Sequence, residues 1–150
     1  MAADGLWNWS VAARVEPDLV RGALAGALEQ PVHELVPGES ALLCDVYQVG
    51  GDFPTVVDVF LAPSGVAEET IASAVAVRLR AAVLLPDDTL NPFRYVLAEP
   101  DGTLRPVHVD EQETDDGPER RRVRPCNRCT PECDRSRWKP GPTPERPAAA

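Results

Sequence analysis

Hydrophobic and polar positions along the first 110 residues alternate between two periods, and the switches predict the elements. From Leu6 to Val15 the period is two, with Trp7, Trp9, Val11, Ala13 and Val15 on one side and Asn8, Ser10, Ala12 and Arg14 on the other. That pattern predicts a half-buried strand. Glu16-Pro17-Asp18 then reads as a helix start, with proline in the first turn and acids near the positive end of the helix dipole. Leu19, Val20, Ala23, Leu24, Ala27 and Leu28 follow at helical spacing, and Pro31 closes the segment. Gly22 and Gly26 lie four apart and would let this helix approach a sheet closely.

After a turn at Pro37-Gly38, the chain predicts a hairpin of two strands, Leu42 to Val49 and Thr55 to Leu61, joined through Gly50-Gly51-Asp52-Phe53-Pro54. Symmetry about Gly51 and Asp52 gives a specific register. Leu42, Cys44 and Val46 then oppose Leu61, Val59 and Val57, all apolar. Leu43, Asp45 and Tyr47 oppose Phe60, Asp58 and Val56 on the other face. A register that sorts residue types this cleanly is favoured, because a one-residue slip would turn every side chain to the wrong face.

Ser64 to Glu69 opens a second helix with a serine cap and two acids in the first turn. Its apolar stripe is Ile71, Ala74, Val75 and Leu79, and Arg78 and Arg80 sit at its negative end. Val83 to Leu85 reads as a short strand or a buried loop, and residues 86–92 as a loop. Phe93 to Glu99 and Thr103 to Val109 are two further strands, turned at Pro100-Asp101-Gly102. The first six elements predict an α+β domain of ferredoxin-like order, βαββαβ, with an extra C-terminal edge strand. The compact acidic domain is expected over residues 1–111. Residues 112–150 are expected to form an acidic linker and a disordered basic tail rich in proline, arginine and cysteine.

Charge sharpens that division. Residues 1–117 hold 20 acidic and 6 basic side chains, a formal −14, whereas residues 118–150 hold 4 and 9, a formal +5. The acidic body repels nucleic acid and anionic membrane and suits a basic protein surface. Neither a secretory signal nor an apolar run of membrane-spanning length is evident, so a reducing cytoplasm is the expected compartment, where thiols stay free or bind metal.

Candidate chemistry lies in three places. In the predicted register the face carrying Asn8, Ser10, Arg14, Asp45, Tyr47, Asp58, Phe60 and Arg94 forms one mixed polar and aromatic surface, the composition of a protein-binding patch. Asp45 and Asp58 oppose each other across it, which costs stability unless a cation, a shared proton or Arg14 offsets the repulsion. In the tail, Cys126, Cys129 and Cys133 supply a C-x-x-C half-site and a third thiolate, three of the four positions of a tetrahedral zinc. Arg120, Arg121, Arg122, Arg124 and Arg128 with Trp138 could hold single-stranded nucleic acid by phosphate contacts and base stacking. The same arginines could instead fold back onto the acidic body, where tethering makes their effective concentration high. His33 and His108 stand apart from any nucleophile, and Cys44 reads as a core thiol.

The reading that follows is a small non-catalytic protein-binding module, an accessory subunit or an acidic inhibitor or immunity-type protein acting on a basic partner. Its alternative is an adaptor whose cysteine- and arginine-rich tail binds zinc and nucleic acid. A third is a small enzyme using Asp45 and Asp58 as an acid–base pair.

Overall fold

The computed structural model describes residues 5–34, 43–63, 65–86 and 94–126. Leu42, Ser64, loop residues 87–92, Arg128, Cys129, Cys133 and Trp138 lie outside them. The chain is α+β, with two helices and one curled sheet. The elements are β1 (Gly5–Val11), α1 (Pro17–Leu28), β2 (His33–Glu34), β3 (Leu43–Gln48), β4 (Thr55–Ala62), α2 (Glu68–Leu79), β5 (Val83–Pro86), β6 (Arg94–Ala98), β7 (Leu104–Thr114) and β8 (Gly117–Pro125). Across the sheet the order is β2-β3-β4-β1-β5-β6-β7-β8. All neighbours are antiparallel except the short β2, which runs parallel to β3.

Period two buries Trp7, Trp9 and Val11 of β1 against the helices, and the two indoles stack with centroids 5.4 Å apart. Val20, Ala23 and Leu24 of α1 and Ile71, Ala72, Val75 and Ala76 of α2 complete this core with Cys44, Val57 and Val59. Leu19, expected on the apolar stripe, is 62% exposed. The helix ends at Glu29, in the left-handed conformation, ahead of Pro31. Gly26 packs against α2 instead of the sheet, since a Cβ there would lie 2.9 Å from Arg78 Nε. The cap of α2 is Ala67, three residues beyond the expected serine.

The register of the β3–β4 hairpin is the predicted one: Cys44 faces Val59, Asp45 faces Asp58, Val46 faces Val57 and Tyr47 faces Val56. Three expectations are corrected. The sheet is larger than a four-stranded plait with one added edge. Val83–Leu85, expected as a short strand or a buried loop, belongs to β5, the strand that lies beside β1, so Arg94–Ala98 is displaced one place outward. The ordered body also continues past residue 111. Residues 112–114 finish β7, Asp115 and Asp116 make a tight turn, and residues 117–125 return as β8.

That last hairpin reaches back across the concave face. Gly51, at the tip of the β3–β4 loop, bridges to Arg120, and Asp52 N donates to Arg120 O at 2.8 Å. Gly51 needs its positive φ of 88°, and a Cβ there would sit 2.9 Å from Arg120 O. A second apolar cluster fills the space beneath: Phe53, Leu84, Leu97, Val107 and Val109, with Tyr95 and Val123 against it.

Candidate functional site

On the concave side, β3, β4 and β1 lay their side chains in rows across the strands. The pairings give Leu43–Phe60–Leu6, then Asp45–Asp58–Asn8, then Tyr47–Val56–Ser10. Such rows follow from the two-residue period once the register is fixed, because paired residues share a face. The three rows differ in cover. Leu6 is 59% exposed, and Asn8, Asp45 and Asp58 are half-buried. Val56 and Ser10 are fully buried, beneath the β7–β8 hairpin.

The residue that covers them is Arg120, only 6% exposed. Its Nη1 donates to Ser10 Oγ, its Nε lies 3.5 Å from Glu111 Oε1, and its guanidinium carbon sits 5.7 Å from the centre of the Tyr95 ring. Tyr95 in turn donates its hydroxyl to Glu111 Oε1. A buried guanidinium is tolerable here because hydroxyl, carboxylate and ring face all meet it. Burial first, and the hydrogen bond to Glu111 second, push the Tyr95 hydroxyl up to about 12. Burial, then Asp58 and Asp45, also raise Tyr47.

The Asp45–Asp58 row is differently placed. Asn8 Nδ2 donates to Asp58 Oδ1. Among the described residues no group makes a hydrogen bond or ion pair with the Asp45 carboxylate. Arg14, expected to offset the pair, is spent elsewhere: it donates to Gln48 Oε1 at 3.1 Å and to Val49 O at 3.4 Å. The expected surface is therefore smaller than its eight residues. Ser10 is buried under Arg120, and Arg14, between β1 and α1, is bonded to the end of β3 and the hairpin loop. Arg94 pairs with His108 and shares the helix-side face of Val96 and Ala98. Asn8, Asp45, Tyr47, Asp58 and Phe60 remain together, joined by Leu6.

The tail arginines within the described residues meet carboxylates of the chain's own β7–β8 hairpin. Arg121 reaches Glu119 at 2.7 Å, and Arg122 and Arg124 both reach Asp110, at 3.3 and 3.1 Å. Arg122 also donates its backbone N–H to Asp52 Oδ2 at 3.0 Å. A phosphate would have to compete with each of these carboxylates. Cys126 is buried, and its N–H donates to Pro106 O at 3.0 Å. Among the described residues no three His, Cys, Asp or Glu side chains are grouped as metal ligands. His33 lies in β2, and His108 is buried in β7.

Among the described residues, Arg120 with Tyr95 and Glu111 forms a partly buried ionic cluster that the hydrophobic pattern did not bring together. Its signal was present in Asp116-Gly117, a hairpin dipeptide with acids before it and arginines after it. The pairs Glu111–Arg120 and Asp110–Arg121 then fall directly opposite.

Cys44, as expected, is a core thiol; burial pushes its pKa up to about 12. Cys44, Tyr47 and Tyr95 all hold their protons more tightly in the folded chain than in the unfolded one. For Cys44 and Tyr95 the stabilisation is complete below the unfolded values near 9 and 10 and is lost as pH rises toward about 12, and Tyr47 shifts in the same direction. Urea unfolding is thus expected to give a lower stability at pH 11 than at pH 8. In a chain with Cys126, Cys129 and Cys133 changed to serine, Cys44 should react with a thiol reagent at pH 8 only after denaturant is added.

No helix among the described residues is long and apolar enough to cross a membrane. Comparison with protein-family models, with curated proteins and with solved structures finds no match to this chain.

Proposed function

We propose that the chain is a non-catalytic protein-binding module whose partner presents a basic surface to the concave side of β3, β4 and β1. The observation that carries this reading is the half-buried Asp45–Asp58 row, in which two carboxylates are held opposite each other with only Asn8 bonded to them among the described residues. Tyr47 and Phe60 flank the row, and Leu6 extends it as exposed apolar surface. Aromatic residues beside an uncompensated charge suit a desolvated protein contact. Charge over the body points the same way. In this reading the β3-β4-β1-β5 quartet with its two helices is a ferredoxin-like plait, and β6, β7 and β8 are an extension that curls over one half of its free face. A role as an accessory subunit or an inhibitor of a basic enzyme, in a reducing cytoplasm, is consistent with it.

The adaptor reading is weaker because Arg120, Arg121, Arg122 and Arg124 are engaged by Ser10, Glu119 and Asp110. A zinc held by Cys126, Cys129 and Cys133 would lie beside β7, where Cys126 is buried.

The test is retention on the immobilised full chain from a lysate of its own cells. A defined basic protein, held at low salt and released by about 0.5 M salt, is the expected result. Retention of nothing, or of a partner indifferent to salt, would count against the reading.

A further inference from the structure

The concave face already holds one arginine. Arg120 lies on the Tyr47–Val56–Ser10 row, and it is met by a hydroxyl, a carboxylate and the face of a tyrosine ring. The next row along offers comparable groups, with no cation on them among the described residues. Asn8 supplies a side-chain amide, Asp58 and Asp45 supply carboxylates, and Tyr47 and Phe60 supply rings on either side. We propose that the Asn8–Asp58–Asp45 row receives an arginine side chain presented by the partner protein. This rests on the binding-module reading above and names the group that the module recognises.

Arginine fits better than lysine for two reasons. Its planar fork can bond two carboxylates at once, whereas an ammonium is a point charge. Its flat face also stacks on aromatic rings, which here stand on both sides of the acids. Like charges directly opposed across a strand pair cost stability in the free protein. A guanidinium between them removes that cost on binding, so the repulsion becomes a source of selectivity. A neutral or acidic side chain would gain nothing from it.

The experiment has two readouts on the full chain. The first needs no ligand: Asp45→Asn removes the opposed charge and is expected to raise the melting temperature by about 1–3 °C. A fall in melting temperature would mean that Asp45 is engaged internally, and would overturn the proposal. The second follows the carboxylate carbons of Asp45 and Asp58 by NMR during titration with acetyl-Gly-Arg-Gly-amide at fixed ionic strength. A saturable shift is expected, at least about tenfold weaker in the Asp45→Asn, Asp58→Asn double variant, and weaker for the lysine and citrulline peptides. Absence of saturation by about 20 mM peptide, or an equal response in the double variant, would overturn the site. If the double variant still retains the protein partner, the arginine site fails and the module stands. If the native chain retains none, the module itself fails.

Discussion

Replacing Arg120 by alanine is expected to destabilise the protein by about 2–3 kcal/mol and to lower its melting temperature by roughly 6–12 °C. Breaking a buried ion pair generally costs about 3–5 kcal/mol, and the lower value is appropriate because the Glu111 side chain is 35% exposed and water can resolvate it. The loss has three parts: the bond to Ser10, the packing over Tyr95 and the attraction to Glu111. Arg120→Met separates them. Methionine keeps an apolar stem over the ring and leaves no cation, so it should recover part of the loss but not the anchoring of Ser10. Hydrogen exchange would show where the damage falls. Amides of β8 and of residues 110–114 should lose protection, while those of β1 and β4 keep theirs, since this outer part of the hairpin meets the rest of the sheet through few backbone bonds. Equal loss everywhere would show that the hairpin and the helix-side core unfold as one unit.

A chain cut after Glu111 is expected to lose its cooperative unfolding transition, whereas one cut after Cys126 keeps it. The shorter chain lacks Arg120, Val123 and Cys126 and leaves Phe53, Val109 and Tyr95 with one side open. It also turns β7 into an edge with unpaired backbone groups from Val107 onward, which invites pairing with another chain. The longer chain retains every contact described among residues 5–126. Circular dichroism melts of the two, with sedimentation to detect association, decide between them. A cooperative, monomeric melt for the shorter chain would mean that the β8 hairpin is dispensable.

Why the hairpin escaped the sequence reading is instructive. Glu119-Arg120-Arg121-Arg122 has neither the β-branched residues nor the clean alternation that mark a strand, and it stands at the start of a proline-rich stretch. Its pairing is set by charge across the turn, with Glu111 opposite Arg120 and Asp110 opposite Arg121. A hydrophobic period cannot register that. The bulge between His108 and Asp110, matched by Arg122 at φ 61°, further breaks any simple alternation. Val83–Leu85 was ambiguous for another reason. It is buried on both faces, Leu84 in one cluster and Val83 and Leu85 in the other. A short apolar run of that kind carries no period.

Local sequence determined the two helices, the helix-side core and the hairpin of β3 and β4. In each of these the chemistry of neighbours at two- or four-residue spacing decides which side is buried. The same spacing places Asp45 opposite Asp58. Tertiary structure alone decided which part of that polar face stays open. Ser10 is polar and would suit a surface, yet an arginine 110 residues away closes over it. Arg94 turns to the other face because the strand beside β1 is β5, and the alternation of β6 is counted from there. Exposure on a sheet depends on which distant segment folds back across it. That choice is made by one glycine at positive φ, one buried guanidinium and a few carboxylates, none of which carries a repeating signal along the chain.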